Sequence, residues 1–182
     1  MRRFNAILSM TILALFVLHV VIGSLQLAGV MPGGSVIMQA AAYIMAAGIA
    51  VHAVIGVKLT ADTLIAQKRA GASYFKENRL FWIRRISGFA VMLFIASHII
   101  IFLGNNDKGS YRLNLFDIPE LVSSLLLVIS VLVHVVTNIR PLANALGARR
   151  FGEFIAEAAV VISMLLLAAG VGFVIYFIRW SF

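Results

Sequence analysis

The chain has 182 residues, of which 62% are hydrophobic and 12% charged, and its mean hydropathy is +1.03. That composition excludes an ordinary soluble globular domain and points to an integral membrane protein. The net charge of +8 needs no nucleic acid to explain it, and the absence of cysteine excludes disulfides, the usual iron–sulfur ligation and thioether-linked haem.

Five apolar segments follow one another: 6–28, 36–59, 81–103, 118–139 and 154–178. Each has about 22 to 25 residues and, at about 1.5 Å per residue, can cross a ~30 Å hydrocarbon core. The expected fold is therefore an all-α integral membrane domain with five transmembrane helices. The opening Met1-Arg2-Arg3 before an apolar run resembles a secretory signal, but the run is too long and lacks a small-x-small cleavage site. Segments one and two are joined by the turn from Gly29 to Ser35, with Ser35 as a helix N-cap. The stretch from Ala61 to Leu80, with Asp62, Lys68, Arg69, Gly71, Lys76, Glu77 and Arg79, is too polar to insert and partly extends helix two. Asp117 before Ile118-Pro119-Glu120 reads as an N-cap with proline in the first turn, and Arg140-Pro141 reads as the end of helix four. Tyr176, Trp180 and Phe182 read as interfacial anchors, and the apolar surface of helix five is free to pack on the bundle or on a second copy of the complex.

Orientation follows from the basic residues. One side collects Arg2, Arg3, Lys58, Lys68, Arg69, Lys76, Arg79, Arg84, Arg85, Arg140, Arg149 and Arg150, and the other only Lys108, Arg112 and Arg179. The positive-inside rule then places the N-terminus in the cytoplasm and the C-terminus outside, in a cell's inner (cytoplasmic) membrane.

The chain's four histidines, His19, His52, His98 and His134, fall one in each of the first four segments. Counting about 1.5 Å per residue, His19 and His98 lie at one level in the outer half, and His52 and His134 at another in the cytoplasmic half. Helices one and three run in the same direction, as do two and four, and in an up-down four-helix bundle these are diagonal pairs. Each pair then faces across the bundle axis, as bis-histidine haem ligation requires, with the two levels roughly 10 to 15 Å apart along the normal. The first four helices are thus expected to form a bundle around two stacked b-type haems. A single membrane histidine is more often a hydrogen-bonded or cavity-lining residue; four at matched depths change that weighing. Gly23, Gly48, Gly56, Ser130 and Asn138 lie one turn from a histidine, where small residues admit a flat macrocycle or a neighbouring helix. Lys58, Arg84, Arg85, Ser87 and Arg140 are candidate propionate partners, with headgroup snorkelling as their ordinary role.

The run Arg85-Ile86-Ser87-Gly88, with nine residues between Gly88 and His98, resembles the R-x-S-G motif and ligand histidine of the cytochrome b anchors of succinate:quinone oxidoreductases. The layout of histidines over the whole chain is similar to the single-subunit dihaem class of succinate dehydrogenases and fumarate reductases. That resemblance implies a proximal haem on His52 and His134 and a distal haem on His19 and His98. It also implies a cytoplasmic iron–sulfur subunit and flavoprotein subunit, and a quinone, menaquinone or ubiquinone, as redox partner. This chain would carry no dicarboxylate site itself. One departure is that Leu132, Val133 and Val135 surround His134 where some dihaem fumarate reductases carry an acidic residue linked to proton movement, so no such proton path is implied.

A quinone site needs a proton carrier or hydrogen-bond donor beside one haem. Outer candidates are Gln26, Gln39, Tyr43, Asp117 and Glu120, and inner ones Asn5, Trp82 and Ser87; the outer group is preferred because a distal haem needs a reaction partner, although Asp117 and Glu120 also suit helix capping. Two other readings stand: a haem b anchor of another membrane oxidoreductase, such as a hydrogenase or formate dehydrogenase, and a non-haem transporter or proton channel with unligated histidines.

Overall fold

A bilayer offers the backbone no water, so a spanning segment must satisfy its own N–H and C=O groups, and long apolar runs fold as helices. The computed structural model describes residues 1–33, 35–71, 79–103, 116–147 and 152–181. Among these are five helices: α1 (Arg2–Leu27), α2 (Val36–Ala70), α3 (Arg79–Leu103), α4 (Ile118–Ala145) and α5 (Gly152–Ser181). All five are long and apolar enough to cross a membrane. Lys76, Glu77, Lys108, Arg112, Arg149, Arg150, Phe182 and the side chain of Trp180 lie outside the described residues.

The starts of two helices follow the expected caps. The Ser35 side chain accepts from Met38 N at the head of α2. Asp117 N donates to Glu120 Oε2 at 3.0 Å at the head of α4, with Pro119 in the first turn. α2 runs 35 residues, or about 52 Å at the usual rise, so its last turns project beyond a ~30 Å core. It stops at Gly71, whose φ of +64° suits glycine, with Lys68 and Arg69 placed at the negative end of the helix dipole.

α4 departs from expectation. The helix does not end at Arg140-Pro141 but continues through Pro141 to Ala145. Proline has no N–H, so the Thr137 carbonyl one turn earlier loses its helical donor. Arg84 of α3 fills the vacancy, its Nε donating to Thr137 O at 2.8 Å. A partly buried carbonyl is thereby satisfied from a neighbouring helix, which is how spanning helices tolerate proline.

The helices pack chiefly in chain order. α3 lies along α4 and α1 along α2, but α1 touches α4, and α2 touches α3, only slightly. The first four helices form two hairpins that meet each other less closely than their own members do, and α5 packs against both α1 and α4, bracing the two. The buried apolar side chains follow from this. One cluster joins Ile101, Phe116, Phe173 and Tyr176, and another joins Val131, Ile162 and Leu166, so α5 contributes to both. Gly172 brings α5 against the Ser24 backbone, where a Cβ would sit 3.7 Å away, the close approach that small residues permit between spanning helices. At the far end, Arg179 donates to the Ala28 carbonyl and occupies the space beside Gly29, whose φ is +74°. The large side chains left exposed, such as Phe89, Leu93, Val54 and Met164, point outward along the helices, as a lipid-facing surface requires.

Candidate functional site

Four partly buried imidazoles in an apolar interior are the chemical feature that the fold must accommodate. The structure brings them together in the two pairs expected from depth. His19 of α1 faces His98 of α3 with ring centres 6.1 Å apart and planes at 81°. His52 of α2 faces His134 of α4 at 6.4 Å and 85°. A metal ion between two opposed imidazoles holds each nitrogen at about 2.0–2.1 Å, and each ring centre lies ~1.1 Å beyond, so the centres fall ~6.3 Å apart. Both pairs match that separation.

The surroundings of the two pairs differ. Ser9 Oγ of α1 lies 3.1 Å from His52 Nδ1, and Ser87 Oγ of α3 lies 3.2 Å from His134 Nδ1. The His134 ring also rests on Gly88, where a Cβ would come within 3.3 Å of it, and the Asn138 amide donates to the His134 carbonyl at 2.7 Å. The Ser-Gly of the R-x-S-G run therefore serves His134 on the next helix. His98 instead has an aromatic sheath, with Phe102 at 4.5 Å and Phe173 at 6.4 Å between ring centres, and its buried Nδ1 has no hydrogen-bond partner.

The five residues singled out beside the histidines divide by role, Asn138 being bonded to the His134 carbonyl. Gly48, one turn before His52, is filled by Ile12 of α1, which a Cβ would meet at 3.3 Å, so it serves helix contact. Gly23 and Gly56, one turn after His19 and His52, face open space within 4 Å of where a Cβ would be. Ser130, one turn before His134, is buried. Space is thus kept beside one histidine of each pair.

The basic residues also divide. Arg84 is committed to Thr137 O. Arg85 reaches across to α2, its Nη1 donating to Gly56 O at 3.5 Å, with its guanidinium 5.0 Å from the Phe81 ring centre. Its buried Nε has no partner. Lys58 and Arg140 are exposed, and Ser87 is taken up by His134. Of the outer polar candidates, Asp117 and Glu120 are tied together as a helix cap and Gln26 donates to Pro32 O at 3.2 Å, while Gln39 and Tyr43 are exposed. Among the inner ones, Asn5 has a buried, unpartnered Oδ1 and Trp82 meets Phe81 edge-on at 5.5 Å.

Sequence reasoning missed Ser9, although a signal existed. Ser9 lies 19 residues before Ala28 and His52 lies 17 after Ser35, so folding the α1–α2 hairpin sets them at one depth. The same arithmetic aligns Ser87, 16 before Leu103, with His134, 16 after Ile118.

Among the described residues no group of three or more His, Asp or Glu side chains gathers as a metal cluster. Each pair offers two nitrogen ligands, the number an ion needs when a planar tetradentate group supplies the other four. Five helices of this length and apolarity are the make-up of a multi-pass membrane protein. No known protein family, curated protein or solved structure matches the chain.

Proposed function

We propose that this chain is a dihaem cytochrome b, the membrane anchor of a succinate dehydrogenase or fumarate reductase complex, passing electrons between a membrane quinone and a cytoplasmic iron–sulfur subunit. The observation that carries the haem reading is the pair of edge-on imidazole couples, 6.1 and 6.4 Å between ring centres, drawn from four different helices. Open space beside Gly23 and Gly56 supports it, because a macrocycle lying between the rings needs backbone without side chains at its edge. The choice of complex rests on the Arg85-Ile86-Ser87-Gly88 run and the histidine layout.

Within this reading the chain's residues do four things. His52 with His134, and His19 with His98, would each hold one haem through their ring nitrogens. The orphaned Nε of Arg85 offers a charge-assisted hydrogen bond to a propionate, with Lys58 and Arg140 as further cations on the same face. Phe102, Phe173 and the apolar helices exclude water around His98. The projecting end of α2, with Lys68 and Arg69, gives the iron–sulfur subunit and its flavoprotein subunit a basic surface to dock on. Haem, when bound, supplies one-electron carriage at potentials set by its ligands and burial. The quinone, menaquinone or ubiquinone, has Gln39 and Tyr43 as the outer candidates not engaged elsewhere in the fold.

A redox-titrated visible spectrum of the purified chain with haem quantification tests the reading. Two b-type haems per chain with separable midpoints are expected, and a colourless chain after haem supplementation would favour the transporter reading. Co-purification of a flavoprotein and an iron–sulfur subunit separates a succinate dehydrogenase or fumarate reductase from a hydrogenase or formate dehydrogenase anchor. A more local prediction concerns Gly88. Gly88→Val is expected to overpack the His134 ring and cut the haem content from two per chain to one, since a branched side chain cannot fit where a Cβ alone meets the ring.

A further inference from the structure

The two histidine pairs are built alike in ring geometry and unlike in what holds the rings. Ser9 Oγ donates to Asn5 O at 2.7 Å, and Ser87 Oγ to Arg84 O at 3.2 Å. A hydroxyl has one proton and two lone pairs, so with its proton spent on a carbonyl it meets a second group as an acceptor. The second group is in each case an imidazole Nδ1, at 3.1 Å for His52 and 3.2 Å for His134. A neutral imidazole that donates from Nδ1 carries its lone pair on Nε2. Ser9 and Ser87 come from α1 and α3, so each ring of the α2–α4 pair is set by a helix that does not carry it.

We propose that Ser9 and Ser87 are positioning residues that fix the tautomer and rotation of His52 and His134, so that both present Nε2 to one iron, and that they act on this pair and not on His19 and His98. The contrast lies in His98, whose buried Nδ1 has no acceptor and whose ring is held by Phe102 and Phe173. Acceptors on the remote nitrogen of a metal-bound histidine orient the ring and raise its basicity. A more basic ligand stabilises the ferric state over the ferrous, so the serines lower the midpoint of the His52–His134 haem. This inference rests on the haem reading above.

The test uses the full chain in detergent and compares wild type with Ser9→Ala, Ser87→Ala, Ser9→Thr and Ser123→Ala. Ser123 serves as the control because its hydroxyl donates to Ser97 Oγ at 2.7 Å, next in sequence to His98, and so spends its proton on another serine instead of meeting an imidazole of the His52–His134 pair. Midpoints and low-temperature electron paramagnetic resonance of each haem are the readouts. Ser9→Ala and Ser87→Ala are expected to raise one midpoint, the same one in both, and to move that haem's ferric signal; Ser9→Thr, which keeps the hydroxyl, returns both towards wild type. Loss of that one haem in Ser9→Ala but not in Ser9→Thr supports the proposal equally. Unchanged signals, shifts in both haems alike, or an equal shift in Ser123→Ala would overturn it. A wild-type chain that binds no haem would instead overturn the haem reading, and is seen before any serine variant is made.

Discussion

Replacing His52 or His134 with alanine is expected to remove one haem and leave the other with its spectrum and midpoint intact. The two members of a pair sit on helices that touch chiefly through their hairpin partners and α5, so each pair is held by the scaffold and not by its opposite number. Removing an imidazole is therefore expected to leave the fold standing while taking away one of the two ring nitrogens that would hold the haem and opening a cavity where the ring was. His52→Ala and His134→Ala should leave the same residual haem, and His19→Ala and His98→Ala should leave the complementary one. The measurement is haem content and the redox-titrated difference spectrum of four purified variants. A substitution that leaves two haems with unaltered spectra defeats the ligand assignment, and so does a crossed pattern in which His52→Ala and His98→Ala resemble each other. On the proposed haem reading the effect would be large, because the groups set against the rings are serine hydroxyls, a glycine and aromatic side chains, none of which replaces an imidazole as a ligand.

Much of this was legible in the chain because a bilayer enforces simple rules. Apolar length gave the five helices, Ser35 and Asp117 marked two starts, and counting residues inward paired the histidines correctly. What escaped depends on contacts between helices that periodicity does not carry. Small residues near a histidine look alike in sequence, yet Gly48 is filled by Ile12 while Gly56 faces open space. Helix five carries no histidine, and its apolar surface left packing on the bundle and on a second copy both open; the structure packs it on both hairpins through Leu166, Phe173 and Tyr176. Ser87 read as a propionate partner because it is a hydroxyl clustered with basic residues near the cytoplasmic helix ends, and sequence did not show that its hydroxyl meets the ring nitrogen of a histidine 47 positions away.

Pro141 is the most instructive of these, and Arg84→Ala is expected to be strongly destabilising because of it. An internal proline normally stops a helix, since it removes one N–H and crowds the preceding turn, and sequence alone places the end of α4 there. The helix passes through because Arg84 Nε occupies the Thr137 carbonyl that proline abandons. Taking the guanidinium away leaves that carbonyl without a donor in a partly buried position, at a cost of about 1–3 kcal/mol, and more where lipid replaces water. The decisive measurement is a double-mutant cycle followed by thermal unfolding in detergent. Pro141→Ala restores a backbone N–H to the Thr137 carbonyl, so Arg84→Ala should cost at least about 1 kcal/mol less in the Pro141→Ala background than in wild type. Equal cost in both backgrounds would mean that Arg84 stabilises the helix pair by packing or charge alone, and that some other group satisfies the carbonyl. Because Arg84 and Arg85 are adjacent, the same experiment separates their roles: Arg85 bonds Gly56 O and sits by the Phe81 ring, and it is Arg84 that bonds Thr137 O, so the cost of Arg85→Ala should be the same with or without Pro141.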